Sequence, residues 1–203
     1  MSFVTVDQDI LDFLKVIYFN DISDQFAAAS NRAYRDMNRT IRFCGLSEDK
    51  RDTLRCEVTD FLREAIPEIV HTQNTDQKSY DLWHFQVCTI IRTMYRDAGV
   101  EFYYGQAQKW VNMTIKYLYI LGAYSFDTLF PYLHIPIDNY VFQIAASELG
   151  VVSPSIAWSR WDDYQKQYLH YQETLRSRIS GYDPLRWEFK YWMKAARNKD
   201  LAV

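Results

Sequence analysis

The stretch Tyr80-Asp81-Leu82-Trp83-His84-Phe85-Gln86-Val87-Cys88-Thr89-Ile90-Ile91-Arg92-Thr93-Met94-Tyr95-Arg96 decides the fold class. Trp83, Val87, Ile90, Ile91 and Met94 recur every three or four residues, so they line one face of a helix. No glycine or proline interrupts the run, and Gly99 follows where a left-handed stop is expected. A strand would instead need strict alternation and would split this stripe between two faces.

The same period continues on both sides. Towards the N-terminus, Asp7 to Phe19 carries Ile10, Leu11, Phe13, Leu14 and Ile17 at helical spacing. Ser23 is placed to cap a second helix that bears Phe26, Ala29, Ala33 and Met37. Ser47 opens a third, with Glu48 and Asp49 in its first turn, where the helix dipole favours negative charge. Leu54, Val58, Phe61, Leu62 and Ala65 form its apolar face, and Pro67 lies near its end. His71 to Ser79 is polar and reads as a loop. Towards the C-terminus, a helix is predicted from about Gln106 to Leu121, ended by Gly122. Ser125 to Ile135 is a connector. Asp138 to Leu149 is a helix stopped by Gly150, Ser159 to Ile179 a long polar helix, and Leu185 to Arg197 the last helix, with Pro184 in its first turn. The pattern predicts an all-α fold of about eight helices. It forms a single helical domain over 1–203, with room for two subdomains.

Composition agrees with that reading. Of 203 residues, 48% are hydrophobic and 17% aromatic, enough to bury a core, and only 6 Gly and 5 Pro are available as breakers. The net charge of −3 counts against gripping nucleic acid by bulk charge, though it leaves room for a local basic face. Cys44, Cys56 and Cys88 are odd in number and widely spaced, and are expected as reduced core thiols. Without a CxxC pair, and with His71, His84, His134 and His170 out of ligand spacing, no metal and no cofactor are expected. Asp162-Asp163 is expected on a solvated helix face, since adjacent helical residues diverge. The N-terminal residues are acidic where a signal peptide is basic, and no apolar run is long enough to span a bilayer. The expectation is a cytoplasmic, intracellular protein with no membrane contact.

Two short stretches carry candidate chemistry. In Gly105-Gln106-Ala107-Gln108-Lys109-Trp110-Val111-Asn112-Met113, glycine and a small residue permit close backbone approach, and a helix N-terminus offers free N–H groups to a phosphate. Lys109 stands on the first or second turn among apolar residues. A lysine in such surroundings can lose its charge and act as a nucleophile; it can equally be a solvated surface lysine. In Ile135-Pro136-Ile137-Asp138-Asn139-Tyr140-Val141-Phe142, Asp138 sits at or near an N-cap. It is either a structural cap or a carboxylate kept ionised to stabilise a developing cation.

Together the two stretches resemble the helix-hairpin-helix DNA glycosylases, with a core around 99–150. Gly105-Gln106-Ala107-Gln108-Lys109 looks like the hairpin end with its lysine, and Asn112 like the Asn of the following helix. Ile137-Asp138-Asn139-Tyr140-Val141-Phe142 looks like the segment supplying the catalytic Asp. Ala107 stands where the second hairpin glycine is usual, and Tyr140 where His is common. The 29-residue separation of Lys109 and Asp138 is closer to the archaeal 8-oxoguanine glycosylases than to endonuclease III. The resemblance implies a DNA glycosylase with associated AP-lyase activity, acting on duplex DNA that bears a damaged or modified base. Lys109 would be the nucleophile and Asp138 its partner. Gly105, Gln106, Ala107 and Gln108 would hold a backbone phosphate, and Lys116, two turns further on, is the reserve lysine. A flipped base would stack on aromatic side chains, with Trp83, His84 and Trp187 the first candidates and Trp158, Trp161 and Trp192 behind them.

A second reading belongs to a different class: a noncatalytic helical interaction protein, phage or defence related, that kept the fold and binds a protein partner. The negative net charge and Ala107 favour it. A third, a helical regulator with an aromatic small-molecule pocket, has no motif behind it.

Overall fold

The computed structural model describes residues 7–200. Among them are eight α-helices: α1 (Gln8–Phe19), α2 (Gln25–Met37), α3 (Glu48–His71), α4 (Gln77–Asp97), α5 (Tyr104–Leu121), α6 (Asn139–Leu149), α7 (His170–Arg178) and α8 (Pro184–Asp200). Extended pairing among the described residues is confined to an isolated bridge between Arg42 and Glu101. The fold is all-α.

The central element is α5, packed chiefly on α2 and α4. Every residue from Tyr104 to Leu118 is buried. A helix enclosed on all sides is usually apolar all round, yet this one carries Gln106, Gln108, Lys109, Asn112, Thr114 and Lys116 in the interior. Desolvating such groups is costly unless each finds a partner. Each does, and most reach out to a different neighbour. Gln106 Nε2 donates to Thr40 O at 2.8 Å, Asn112 contacts His84 of α4, and Lys116 meets Glu188 of α8. On the apolar side, Trp110 is fully enclosed and its Nε1 donates to the Ser30 backbone oxygen and Oγ of α2. Ser30 in turn bonds Thr59 of α3 at 2.9 Å.

Several boundaries differ from the sequence expectation for local reasons. The cap of α2 is Asp24, not Ser23: its carboxylate accepts from Ala27 N–H and is clasped by Arg63 from α3. Helix α3 continues through Pro67 to His71, leaving a shorter connector before α4. The long polar helix predicted from Ser159 to Ile179 is broken. A 3₁₀ turn (Trp158–Arg160) is followed by an extended Asp163, a π turn (Tyr164–Leu169) and then α7. The backbone N–H groups of Asp162 and Asp163 both donate to Gln167 Oε1, and Asp163 caps Lys166 N–H, so the chain restarts there. Asp162 is not on a solvated helix face; it accepts from Arg92 and Arg96 of α4, both at 2.9 Å. Of the three cysteines only Cys88 is in the core; Cys44 and Cys56 are exposed. Gly122 and Gly150 end α5 and α6 in the left-handed conformation, as expected. No helix among the described residues is long and apolar enough to cross a membrane.

Candidate functional site

Asp138 is the N-cap of α6. Its Oδ1 accepts from Val141 N–H at 2.9 Å, which leaves Oδ2 free to face α5. There it meets Lys109 Nζ at 2.7 Å, and the same ammonium donates to Pro136 O at 3.2 Å. The two residues are 29 positions apart in the chain and in direct contact in space. Lys109 is only 4% exposed, and its carboxylate partner lies nearer the surface, with 16% of its side chain accessible.

The segment that delivers Asp138 is pinned by two buried glutamines. Gln172 of α7 donates to Ile135 O at 2.7 Å and accepts from Ile135 N–H at 3.2 Å. Gln108 of α5 donates to Ile137 O at 3.1 Å and accepts from Ile137 N–H at 3.3 Å. Each amide thus satisfies both backbone groups of one residue, the way a neighbouring strand would. This holds residues 135–138 extended against α5 with no sheet present.

A polar network continues inward from this clasp. Asn112 Nδ2 donates to Gln108 Oε1 and to Tyr168 OH, and its Oδ1 faces His84 Nε2 at 3.0 Å. His84 Nδ1 contacts Tyr104 OH at 2.9 Å. Tyr168 OH also meets His134 Nδ1 at 2.8 Å, and His134 Nε2 reaches Asp81 Oδ1 at 2.6 Å near the surface. The ring centroids of His84 and His134 are 4.7 Å apart. Burial lowers both histidines from their usual value, far more for His84, where the His134 ring adds to the effect. Burial likewise raises the Tyr104 and Tyr168 phenols. Burial alone would raise the Asp81 carboxyl, but the hydrogen bond and charge of His134, with a hydrogen bond from Gln77 and the charge of Arg176, hold it low. The interior is therefore a set of rings whose charged forms burial disfavours, with His134 the one tied to a surface carboxylate. The sequence spacing gave no sign that His84 and His134 would meet.

The other sequence-selected residues fall elsewhere. Gly105, Gln106, Ala107 and Gln108 are buried, and their amides are not open to solvent. Gly105 N–H donates to Trp161 O at 2.8 Å, and Gln106 and Ala107 N–H both turn to Tyr103 O. The reason for glycine at 105 is visible: a Cβ there would stand 1.8 Å from Trp158 O. The close approach is made by the chain's own 158–161 segment. Trp83 is half-buried and packs on Tyr80 at 5.5 Å, His84 has both ring nitrogens engaged, and Trp187 of α8 lies beside Tyr191. Lys116 is held by both oxygens of Glu188, at 2.8 and 2.6 Å, beneath the rings of Phe189 and Trp192.

Comparison with protein-family models, curated proteins and solved structures finds no match.

Proposed function

We propose that the chain is a lysine-dependent DNA glycosylase with associated AP-lyase activity, in which Lys109 is the nucleophile and Asp138 its carboxylate partner. The supporting observation is the 2.7 Å contact between Lys109 Nζ and Asp138 Oδ2, made by the two residues that the glycosylase-like motifs single out. Asp138 is set by its helix cap and by the glutamine clasps on either side of Pro136, so its position owes nothing to substrate. In the reaction Lys109 Nζ bonds to the sugar C1′ of a flipped nucleotide as the bond from C1′ to the base breaks. Asp138 first takes one proton from the Lys109 ammonium and gives it to the departing base, which leaves with the bonding electron pair; the proton then lost from the Lys109 nitrogen goes to the ring oxygen as the sugar opens. Opening of the sugar ring yields a Schiff base, and loss of a 2′ proton then expels the 3′ phosphate. Lys109 is 4% exposed, so DNA binding has to open the cover over its ammonium without displacing Asp138.

The test is incubation with duplex oligonucleotides bearing a panel of damaged bases, with borohydride present to reduce the Schiff base. A covalent complex that disappears in Lys109→Gln supports the reading. No complex with any duplex, or one that persists in Lys109→Gln, overturns it.

One observation favours a noncatalytic interaction protein instead. The N-terminus of α5 is closed by the chain's own groups, with Gly105 N–H on Trp161 O and Tyr103 N–H on Gln106 Oε1. On that reading Lys109–Asp138 is a fastener between α5 and α6. Replacing both partners by apolar residues then leaves stability and partner binding intact.

A further inference from the structure

The orientation of α1 is the reverse of what an amphipathic surface helix adopts. Its half-buried edge carries Asp12 and Lys15, while Ile10 (54% exposed), Phe13 (62%), Leu14 (54%) and Ile17 (65%) point to solvent, flanked by exposed Leu11, Val16 and Tyr18. The helix is attached at its C-terminal end, where Phe19 packs on the Tyr117 ring at 5.2 Å and Tyr18 OH meets Tyr117 OH at 2.9 Å. A helix this short is marginal in water by itself and draws its stability from burying an apolar face. Among the described residues that face is open.

We infer that α1 is a dimerisation helix that pairs antiparallel with α1 of a second copy of this chain. The face is self-complementary. A two-fold axis between Phe13 and Leu14 sets Ile10 against the second copy's Ile17 and Phe13 against the second copy's Leu14, so every contact is apolar and each is made twice. The outward stripe holds no charge, so no like charges oppose each other. Antiparallel pairing also places each helix N-terminus beside the other's C-terminus, where the dipoles attract. The exposed side chains form a patch on the order of 600 Å², at the upper end of what a monomer usually leaves open. The part that can face one partner helix is the stripe of Ile10, Phe13, Leu14 and Ile17, so two copies bury about 900–1,000 Å², the size of a weak specific interface. An anionic lipid surface is the poorer occupant, since the only basic residue of α1, Lys15, sits on the inner edge and bonds Asp12 at 3.2 Å.

The test is sedimentation equilibrium of the full chain from about 1 to 100 µM, a range that brackets a micromolar association. The expected result is a dimer for wild type and a monomer for Phe13→Glu and Ile17→Glu, with unchanged circular dichroism. These side chains are exposed, so neither substitution disturbs the core. The register is read separately in a Cys44→Ser, Cys56→Ser background. Ile10→Cys protein mixed with Ile17→Cys protein should cross-link to each other faster than either does to itself. A monomeric wild type overturns the proposal. So does a dimer that survives both glutamate substitutions, and faster self-linking would refute the antiparallel arrangement.

Discussion

Replacing Gly105 by alanine separates two physical effects of opposite sign. On helix propensity alone the change is favourable by about 1 kcal/mol, because alanine loses less backbone entropy than glycine within a helix. The structure predicts the reverse. A Cβ at 105 falls 1.8 Å from Trp158 O and 2.9 Å from Trp158 C. Both are backbone atoms, so no rotamer change relieves the clash, and the 158–161 segment must retreat by about 1.5 Å to reach ordinary contact. That retreat strains packing around Trp158 and Trp161, both buried, at roughly 1–3 kcal/mol. It also pulls Trp161 O from Gly105 N–H, now 2.8 Å away, and an interior donor left unpaired costs about 1–3 kcal/mol more. After the propensity gain the net loss is roughly 1–5 kcal/mol. For a chain of this size that lowers Tm by about 2–20 °C. Urea unfolding monitored by circular dichroism measures it directly, at unchanged m-value. A Gly105→Ala protein as stable as wild type, or more so, would refute the packing argument.

Two further outcomes follow from the buried charges and rings. Lys116→Met should destabilise by roughly 3–5 kcal/mol, since it strands Glu188 in the interior, whereas Lys116→Met with Glu188→Leu should recover most of the loss; both are read from urea midpoints. Stability should also fall with acid below about pH 6.5. His84 and His134 have folded values lowered by burial, so the unfolded chain takes up protons there that the folded chain refuses. Their contribution is complete above the ordinary histidine value and is lost as the pH drops towards the folded ones. Asp81, also held low, adds a further loss only below the ordinary carboxylate range. The urea midpoint should therefore decline from pH 7 to 5, and His134→Gln should flatten the slope. A midpoint constant over that range would contradict the neutral-ring description.

The helices were legible because apolar residues repeat at helical spacing along α3 and α4, and because α5 and α6 end on Gly122 and Gly150. Lys109 and Asp138 were paired in the sequence only through the motif resemblance, which calls for an open basic cleft; the structure brings them into contact with Lys109 buried. What periodicity could not supply was the placement of polar residues inside. Gln106, Gln108, Asn112 and Lys116 look like the wet side of a surface helix, and local sequence holds no record of the partners that satisfy them. Those partners lie as far away as Thr40, Ile137, His84 and Glu188. The break at Asp162-Asp163 was missed for the same reason: the arginines that claim Asp162 come from α4, 66 and 70 residues earlier. The expectation of free hairpin amides fared likewise at Gly105, whose N–H is taken by the remote Trp161 O, while Gln106 and Ala107 N–H turn to the local Tyr103 O.

Two lysine–carboxylate pairs on one helix, two turns apart, provide a comparison within the molecule. Lys116 is bound by both oxygens of Glu188, whose side chain is only 2% exposed and lies under aromatic rings. Every donor geometry there serves enclosure, and no acceptor faces outward. Lys109 takes a single oxygen of Asp138, while the other caps α6, and the Asp138 side chain is nearer to water. A pair that serves only the fold gains from being closed on both partners. A pair that hands a proton to and from a reacting amine needs one partner reachable and the other fixed. The accessible partner differs between the two: it is the lysine in the Lys116 pair (10% against 2% for Glu188) and the carboxylate in the Lys109 pair (16% against 6% for Lys109), although both arise from the same repeat along α5. On the proposed glycosylase reading the reacting pair is the one where α5 meets the N-terminus of α6, with the Lys116 pair as its structural control.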